Sequence, residues 1–301
     1  MKMKQDYSTL GIKLLCGLFG KTRHAYYDHL WRSQDQGLRD EIVLQHVLEI
    51  RESLPRVGTI KLHHMLKPAL LTHQIDIGRD YLFDLMRDHN LDIRRRKRKA
   101  ITTDSRHWMH KYMNLVKDLI IDRPEQVWVS DITYIRVSHQ WAYLSLITDA
   151  YSRKIMGYAF RTDLSATGCT DALQMALRSR CYSRHLIHHS DRGSQYCSAA
   201  YTKILLEHDI AISMTENGDP YENAIAERAN GIIKSEFNLE VMQTTFADAL
   251  EKITKGIAAY NQLRPHSRCD FLTPDEAHQK NGVLRKRWRT KAYNYDNLNC
   301  V

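Results

Sequence analysis

From residue 126 onward the chain moves between two kinds of apolar pattern. Residues 127–137, 141–147 and 154–160 are rich in β-branched and aromatic side chains, with turns at His139-Gln140 and 151–153. Such runs predict three strands in an antiparallel meander. Helical spacing then appears at 166–180, a short apolar strand at 186–190, a helix at 199–208 and a strand at 210–214. Helices follow at 221–237 and 247–260. This order predicts an α/β domain in which a mixed sheet is flanked by helices.

The first hundred residues have a different character. Apolar residues cluster at 12–19 and 25–31, then recur at Leu38, Ile42, Val43, Val47 and Ile50. Ile60, Leu62, Met65 and Leu66 form another stripe, and Tyr81, Leu82, Leu85 and Met86 a further one. Short helices joined by short turns suggest a small all-α, helix-turn-helix-like module. Met113, Leu115, Val116, Leu119 and Ile120 predict a linking helix over 111–121, which Pro124 stops. The expected organisation is an N-terminal helical segment at 1–36, a DNA-binding domain at 37–103 and a linker or helix at 104–121. A core at 122–281 and a basic tail at 282–301 complete it.

Charge adds a partner to this outline. The 301 residues carry a formal charge of +9, and a basic balance calls for an acidic partner, most commonly nucleic acid. The cations are clustered. Arg94, Arg95, Arg96, Lys97, Arg98 and Lys99 are an unbroken run, and 285–291 is a second cluster with a Trp inside it. A polyanion relieves the self-repulsion of such runs. No apolar run approaches the length of a membrane span. The opening residues lack a long apolar signal segment, which points to a cytoplasmic protein. None of the six cysteines forms a C-x-x-C pair, so neither disulfide staples nor structural zinc is expected.

Three acids stand in unusual settings. Asp131 shares one strand face with Val127, Val129, Thr133 and Ile135. A carboxylate among apolar neighbours needs a partner, although a lone Asp also suits a solvent-facing strand position. Asp191 directly follows a predicted strand, where ligands gather in open α/β sheets; Asp-Arg-Gly-Ser is equally good turn chemistry. Glu227 lies on a predicted helix and shares its face with Asn223, Asn230 and Lys234. That row suits one metal ligand and several phosphate contacts, or simply a solvated face. Glu222 and Glu216 are rival ligands. Converging carboxylates can hold two divalent ions, the arrangement that phosphodiester chemistry uses.

Taken together, 128–135 (WVSDITYI), 189–196 (HSDRGSQY) and 213–227 (SMTENGDPYENAIAE) resemble the integrase-core motifs of bacterial insertion-sequence transposases. The likeness is to the OrfB-type transposases of the insertion-sequence-3 family. Residues 260–267 (YNQLRPHS), followed by Thr273-Pro274, match that family's closing signature, and 55–58 (PRVG) its arginine-glycine turn. The resemblance implies an RNase H-like mixed five-stranded sheet and a D, D-35-E site. Its acids map to Asp131, Asp191 and Glu227, holding two Mg²⁺ or Mn²⁺ ions. It also implies DNA strand cleavage and strand transfer at terminal inverted repeats and target DNA, by a homo-oligomer. An upstream OrfA-type partner or fusion is part of the same expectation. Expected DNA contacts are the run from Arg94 to Lys99, with Asn223, Asn230, Lys234, Arg264 and His266. A non-catalytic DNA-binding regulator is the alternative.

Overall fold

A computed structural model describes residues 9–93, 108–216 and 223–285. Among the described residues four helices come first: α1 (Ile12–Leu18), α2 (Arg23–Ser53), α3 (Thr59–Thr72) and α4 (Arg79–Asp88). The helix α2 is one continuous element of 31 residues, so an expected boundary at 36/37 falls inside it. The chain divides into two compact units, Met1–Ile50 with Met65–Asp92 and Arg51–His64 with Ile93–Val301. In the first unit Val43, Val47, Leu66, Leu70, Leu82, Leu85 and Met86 are buried. Their helical spacing is why these segments fold as helices that share a core. The basic run from Arg94 to Lys99 lies outside the described residues.

The second unit is built on a mixed sheet. Its strands are β1 (Val127–Val137), β2 (Gln140–Asp149), β3 (Ile155–Arg161), β4 (Leu186–Ser190) and β5 (Ile210–Met214). Their spatial order is β3-β2-β1-β4-β5. Strands β1, β2 and β3 form the antiparallel meander, while β4 and β5 join parallel to β1. A two-residue strand, β6 (Val241–Met242), pairs with the far end of β1. The longer helices α5 (Ala166–Arg178), α6 (Ala199–Glu207), α7 (Ala224–Glu236) and α8 (Phe246–Gln262) and the short α9 (Pro274–His278) belong to the same unit. This is the RNase H-like α/β arrangement.

The central strand is buried on both faces. Trp128 packs with Cys169, Ala172, Leu173, Tyr201 and Leu205 from α5 and α6. Val127 and Val129, which point the other way, pack with Ala226 of α7. The helix α5 lies very close to the sheet because its inner positions are small: Gly168, Cys169, Ala172 and Ala176. Gly157 on β3 completes that approach. A Cβ there would stand 2.2 Å from the Ala172 carbonyl oxygen and 2.6 Å from the Ala176 nitrogen. Gly157→Ala is therefore expected to destabilise by about 3 kcal/mol through overpacking. The urea midpoint measures it; a loss below about 0.5 kcal/mol would show that α5 yields freely.

The linking helix expected over 111–121 is not formed. Leu115 N–H donates to Ser213 Oγ at 2.8 Å, and the Met113 carbonyl accepts from Met214 N–H at 3.4 Å. The segment thus borders β5. Its Val116, Leu119 and Ile121 still pack on the α7 side of the sheet. The apolar residues seek the core as their spacing predicts, but neighbouring β5 offers the backbone a better partner than its own turn.

Candidate functional site

Pairing between β1 and β4 ends at Ser130 opposite Ser190. The next residue on each strand is an acid, so Asp131 and Asp191 stand side by side at the carboxyl end of β4. Asp131 Oδ1 accepts from the Ile132 N–H at 2.9 Å. Asp191 Oδ1 accepts from the Gly193 N–H at 3.0 Å, and a Cβ on residue 193 would crowd that same oxygen at 3.0 Å. Glycine at 193 lets the loop close on the carboxylate.

Helix α7 supplies the third acid and is tied to β1 at two points. Asn223, which precedes the helix, donates its side-chain amide to the Ser130 carbonyl at 3.0 Å. Asn230 donates to Asp131 Oδ2 at 2.8 Å. Glu227 lies between these anchors in the first turn, where the helix dipole favours a negative charge. It is exposed, whereas Asn223 and Asn230 are buried. The two asparagines, expected as DNA contacts, therefore face the sheet and set the pose of the helix. Lys234, two turns past Glu227, is half-buried. Burial lowers its pKa, while Glu240 and Asp131 hold it up.

The electrostatics record the convergence. Burial pushes the Asp131 carboxyl up to about 7, and the charges of Asp191 and Glu227 add to the rise. The hydrogen bonds from Asn230 and Ile132 oppose it. Ionised together, the three acids repel one another and call for cations. Asn223 Oδ1 and Asn230 Oδ1 are buried without a protein partner among the described residues, leaving acceptors beside the acids for the water shell of a hydrated ion. An all-oxygen donor set suits Mg²⁺ or Mn²⁺.

Other expected residues fall differently. Arg264 is 1% exposed and holds Glu236, the last residue of α7, through two hydrogen bonds of 2.7 Å. His266 is buried, and its Nε2 accepts from Arg264 Nη1 at 2.8 Å. Burial and the neighbouring Arg264 charge keep that imidazole neutral, with a pKa well below the usual histidine range. Both residues, expected at the DNA surface, are internal scaffold. Glu222 lies outside the described residues.

Sequence reasoning missed the support beneath Ser130. Its Oγ meets His188 Nε2 at 2.7 Å, and the same nitrogen meets Tyr201 OH at 2.8 Å. Burial drives the His188 pKa down to about 3, so the ring is neutral. These residues come from three separate elements, so no local spacing could reveal them.

The site and its sheet coincide with a known domain. Two Integrase core domain families match the chain, one over residues 121–220 and the other over 208–274. The chain is 32% identical over 274 residues to the insertion element IS600 uncharacterized 31 kDa protein of Shigella sonnei, covering 88% of this chain and 98% of that one. It is 36% identical over 174 residues to the Transposase InsF for insertion sequence IS3A of Escherichia coli (strain K12). That match covers 56% of this chain and 58% of the relative. The chain belongs to the insertion-sequence-3 family of transposases, with an integrase-like core. Among solved structures, the HTLV-2 integrase catalytic core domain in complex with magnesium (trimeric form) aligns with a TM-score of 0.42 at 19% identity, over 52% of this chain and 97% of that one.

Proposed function

We propose that the protein is a metal-dependent DNA transposase that cleaves element ends and joins them to a second DNA site. The observation that carries this reading is the two-point attachment of α7 to β1. It brings Glu227 to the strand that places Asp131 beside Asp191. These three carboxylates would hold two Mg²⁺ or Mn²⁺ ions. When bound, the ions supply activation of the attacking oxygen and charge stabilisation of the leaving 3′-oxygen.

Hydrogen bonds from the chain hold the two aspartates in position and oppose the rise in the Asp131 pKa. Asn230 holds one Asp131 oxygen and the Ile132 N–H holds the other. The Gly193 N–H does the same for Asp191. No side chain needs to act as a nucleophile. In the first step water attacks phosphorus in line, and the bond to the 3′-oxygen breaks to free a 3′-hydroxyl. That hydroxyl attacks a second phosphodiester in the same way, so one bond forms as another breaks. The run from Arg94 to Lys99 and Lys234 are proposed to bind DNA phosphates. Action on terminal inverted repeats, assembly as a homo-oligomer, and an OrfA-type partner belong to the same proposal. Among the described residues no helix is long and apolar enough to cross a membrane.

The test is cleavage and joining of DNA that carries the element's own ends, with Mg²⁺. Asp191→Asn and Glu227→Gln are each expected to lower both reactions by at least about a thousandfold, while DNA binding stays within about threefold. A variant that joins ends normally removes its residue from the site. Neutralising the run from Arg94 to Lys99 is expected to weaken binding and to flatten its dependence on salt. The log–log slope should fall by about 0.9 for each phosphate that is no longer neutralised. An unchanged slope rules out phosphate binding by that run.

A further inference from the structure

Glu125, Cys181 and His278 each present one donor atom, and these atoms lie within 4.8 Å of one another. They come from the loop before β1, the segment after α5 and the end of α9. About 20 Å of largely extended chain separates Glu125 from Asp131, so the cluster is distinct from the acidic site. Its chemistry differs as well: one oxygen, one sulfur and one imidazole nitrogen form a borderline-soft set that favours zinc over magnesium.

The surroundings are arranged as they are around metal ligands. Glu125 is fully buried, and its carboxylate is fixed by the Cys181 N–H at 2.7 Å and the Tyr182 N–H at 2.9 Å. The His278 ring is buried. Its Nε2 faces Glu125 Oε1 at 3.2 Å, and its Nδ1 meets Ser152 Oγ at 3.1 Å. That hydroxyl in turn donates to the buried Asp149 carboxylate at 2.7 Å. A ligating histidine is oriented in this way, with its outer nitrogen linked to a carboxylate. Cys181 is exposed, so this donor residue of the cluster borders solvent.

We propose that Glu125, Cys181 and His278 form a second metal site, selective for Zn²⁺ and separate from the site that takes Mg²⁺ or Mn²⁺. Zinc would displace the proton between His278 Nε2 and Glu125 Oε1 together with the thiol proton of Cys181. The divalent charge replaces the two protons released. Only modest closing of the three donors is needed to reach the ~2.0–2.3 Å bonds that zinc makes. The bound ion would tie α9 and the segment after α5 to the base of β1.

The experiment titrates the chelator-treated full chain with Co²⁺, then with Zn²⁺ in competition. The expected result is a thiolate-to-cobalt charge-transfer band that Zn²⁺ abolishes and excess Mg²⁺ leaves intact. Cys181→Ser replaces an exposed side chain and is expected to fold as wild type by circular dichroism. It is expected to lose the band and to bind Zn²⁺ at least about tenfold more weakly. Asp191→Asn is expected to keep both. The proposal is overturned if wild type shows no band, if the band survives Cys181→Ser, or if Asp191→Asn removes it. None of these outcomes depends on strand transfer.

Discussion

Asp131→Asn is expected to remove cleavage and joining in Mg²⁺ and, in buffer free of divalent ions, to make the protein more stable than wild type above neutral pH. The folded-state pKa of Asp131 is about 7, against an ordinary value of 3.8. Between those values the folded protein binds more protons than the unfolded chain, so its stability falls as pH rises. The contribution is complete below about pH 4 and lost as pH passes through 7. Allowing for partial exposure, the loss is on the order of 2–3 kcal/mol. Asparagine carries no charge to desolvate, and it still fits. Asn230 can turn its amide so that Oδ1, now without a partner, accepts from the new side chain. Melting temperatures from pH 5 to pH 8 are expected to diverge, the variant gaining on wild type as pH rises. Mg²⁺ is expected to raise the wild-type value and leave the variant unchanged. Parallel curves with and without Mg²⁺ would detach Asp131 from both roles.

The second large effect is expected at Arg264. Removing the guanidinium with Arg264→Met leaves Glu236 buried, with Lys61 at 3.5 Å and the more distant charge of Arg228 to offset it. Burial lowers the Lys61 pKa, and although Arg264→Met removes the Arg264 charge that adds to this, one contact of 3.5 Å does not replace two of 2.7 Å. The cost of stranding one member of a buried pair is about 3–5 kcal/mol. Arg264→Lys keeps the charge but cannot reproduce the two-pronged contact, and is expected to lie between. Combining Arg264→Met with Glu236→Gln is expected to recover part of the loss, because no charge is then left unpaired. Urea unfolding of the four proteins measures this. Equal midpoints for wild type and Arg264→Met would show that the pair contributes nothing to the fold.

The meander is legible in the sequence because β-branched and aromatic residues fill 127–137 and its neighbours, leaving few other structures for them. The acids are legible through their motifs. What the sequence hides is direction. Periodicity groups Glu227, Asn230 and Lys234 of α7 with Asn223 just before it, but it does not say what each side chain meets. Two of the four bond to β1. Arg264 and His266 are polar and carry a DNA-like look, yet Glu236, 28 residues earlier in the chain, draws Arg264 inside. Apolar spacing alone breaks α2 into pieces, because polar residues interrupt its stripe around Gly37. Over 111–121 the apolar spacing is real, and a tertiary partner overrides the local preference for helix.

All three acids precede residue 228, whereas the clamp that fixes the end of the helix carrying Glu227 arrives with Arg264. A chain emerging from the ribosome therefore carries every carboxylate before it can hold them in place. The same is true of a product stopped between these points. Such a chain is expected to leave DNA uncut although its acid motifs are intact and its basic run can still bind. On the function proposed above, the order of synthesis would thus delay cutting until nearly all of the described domain has been made.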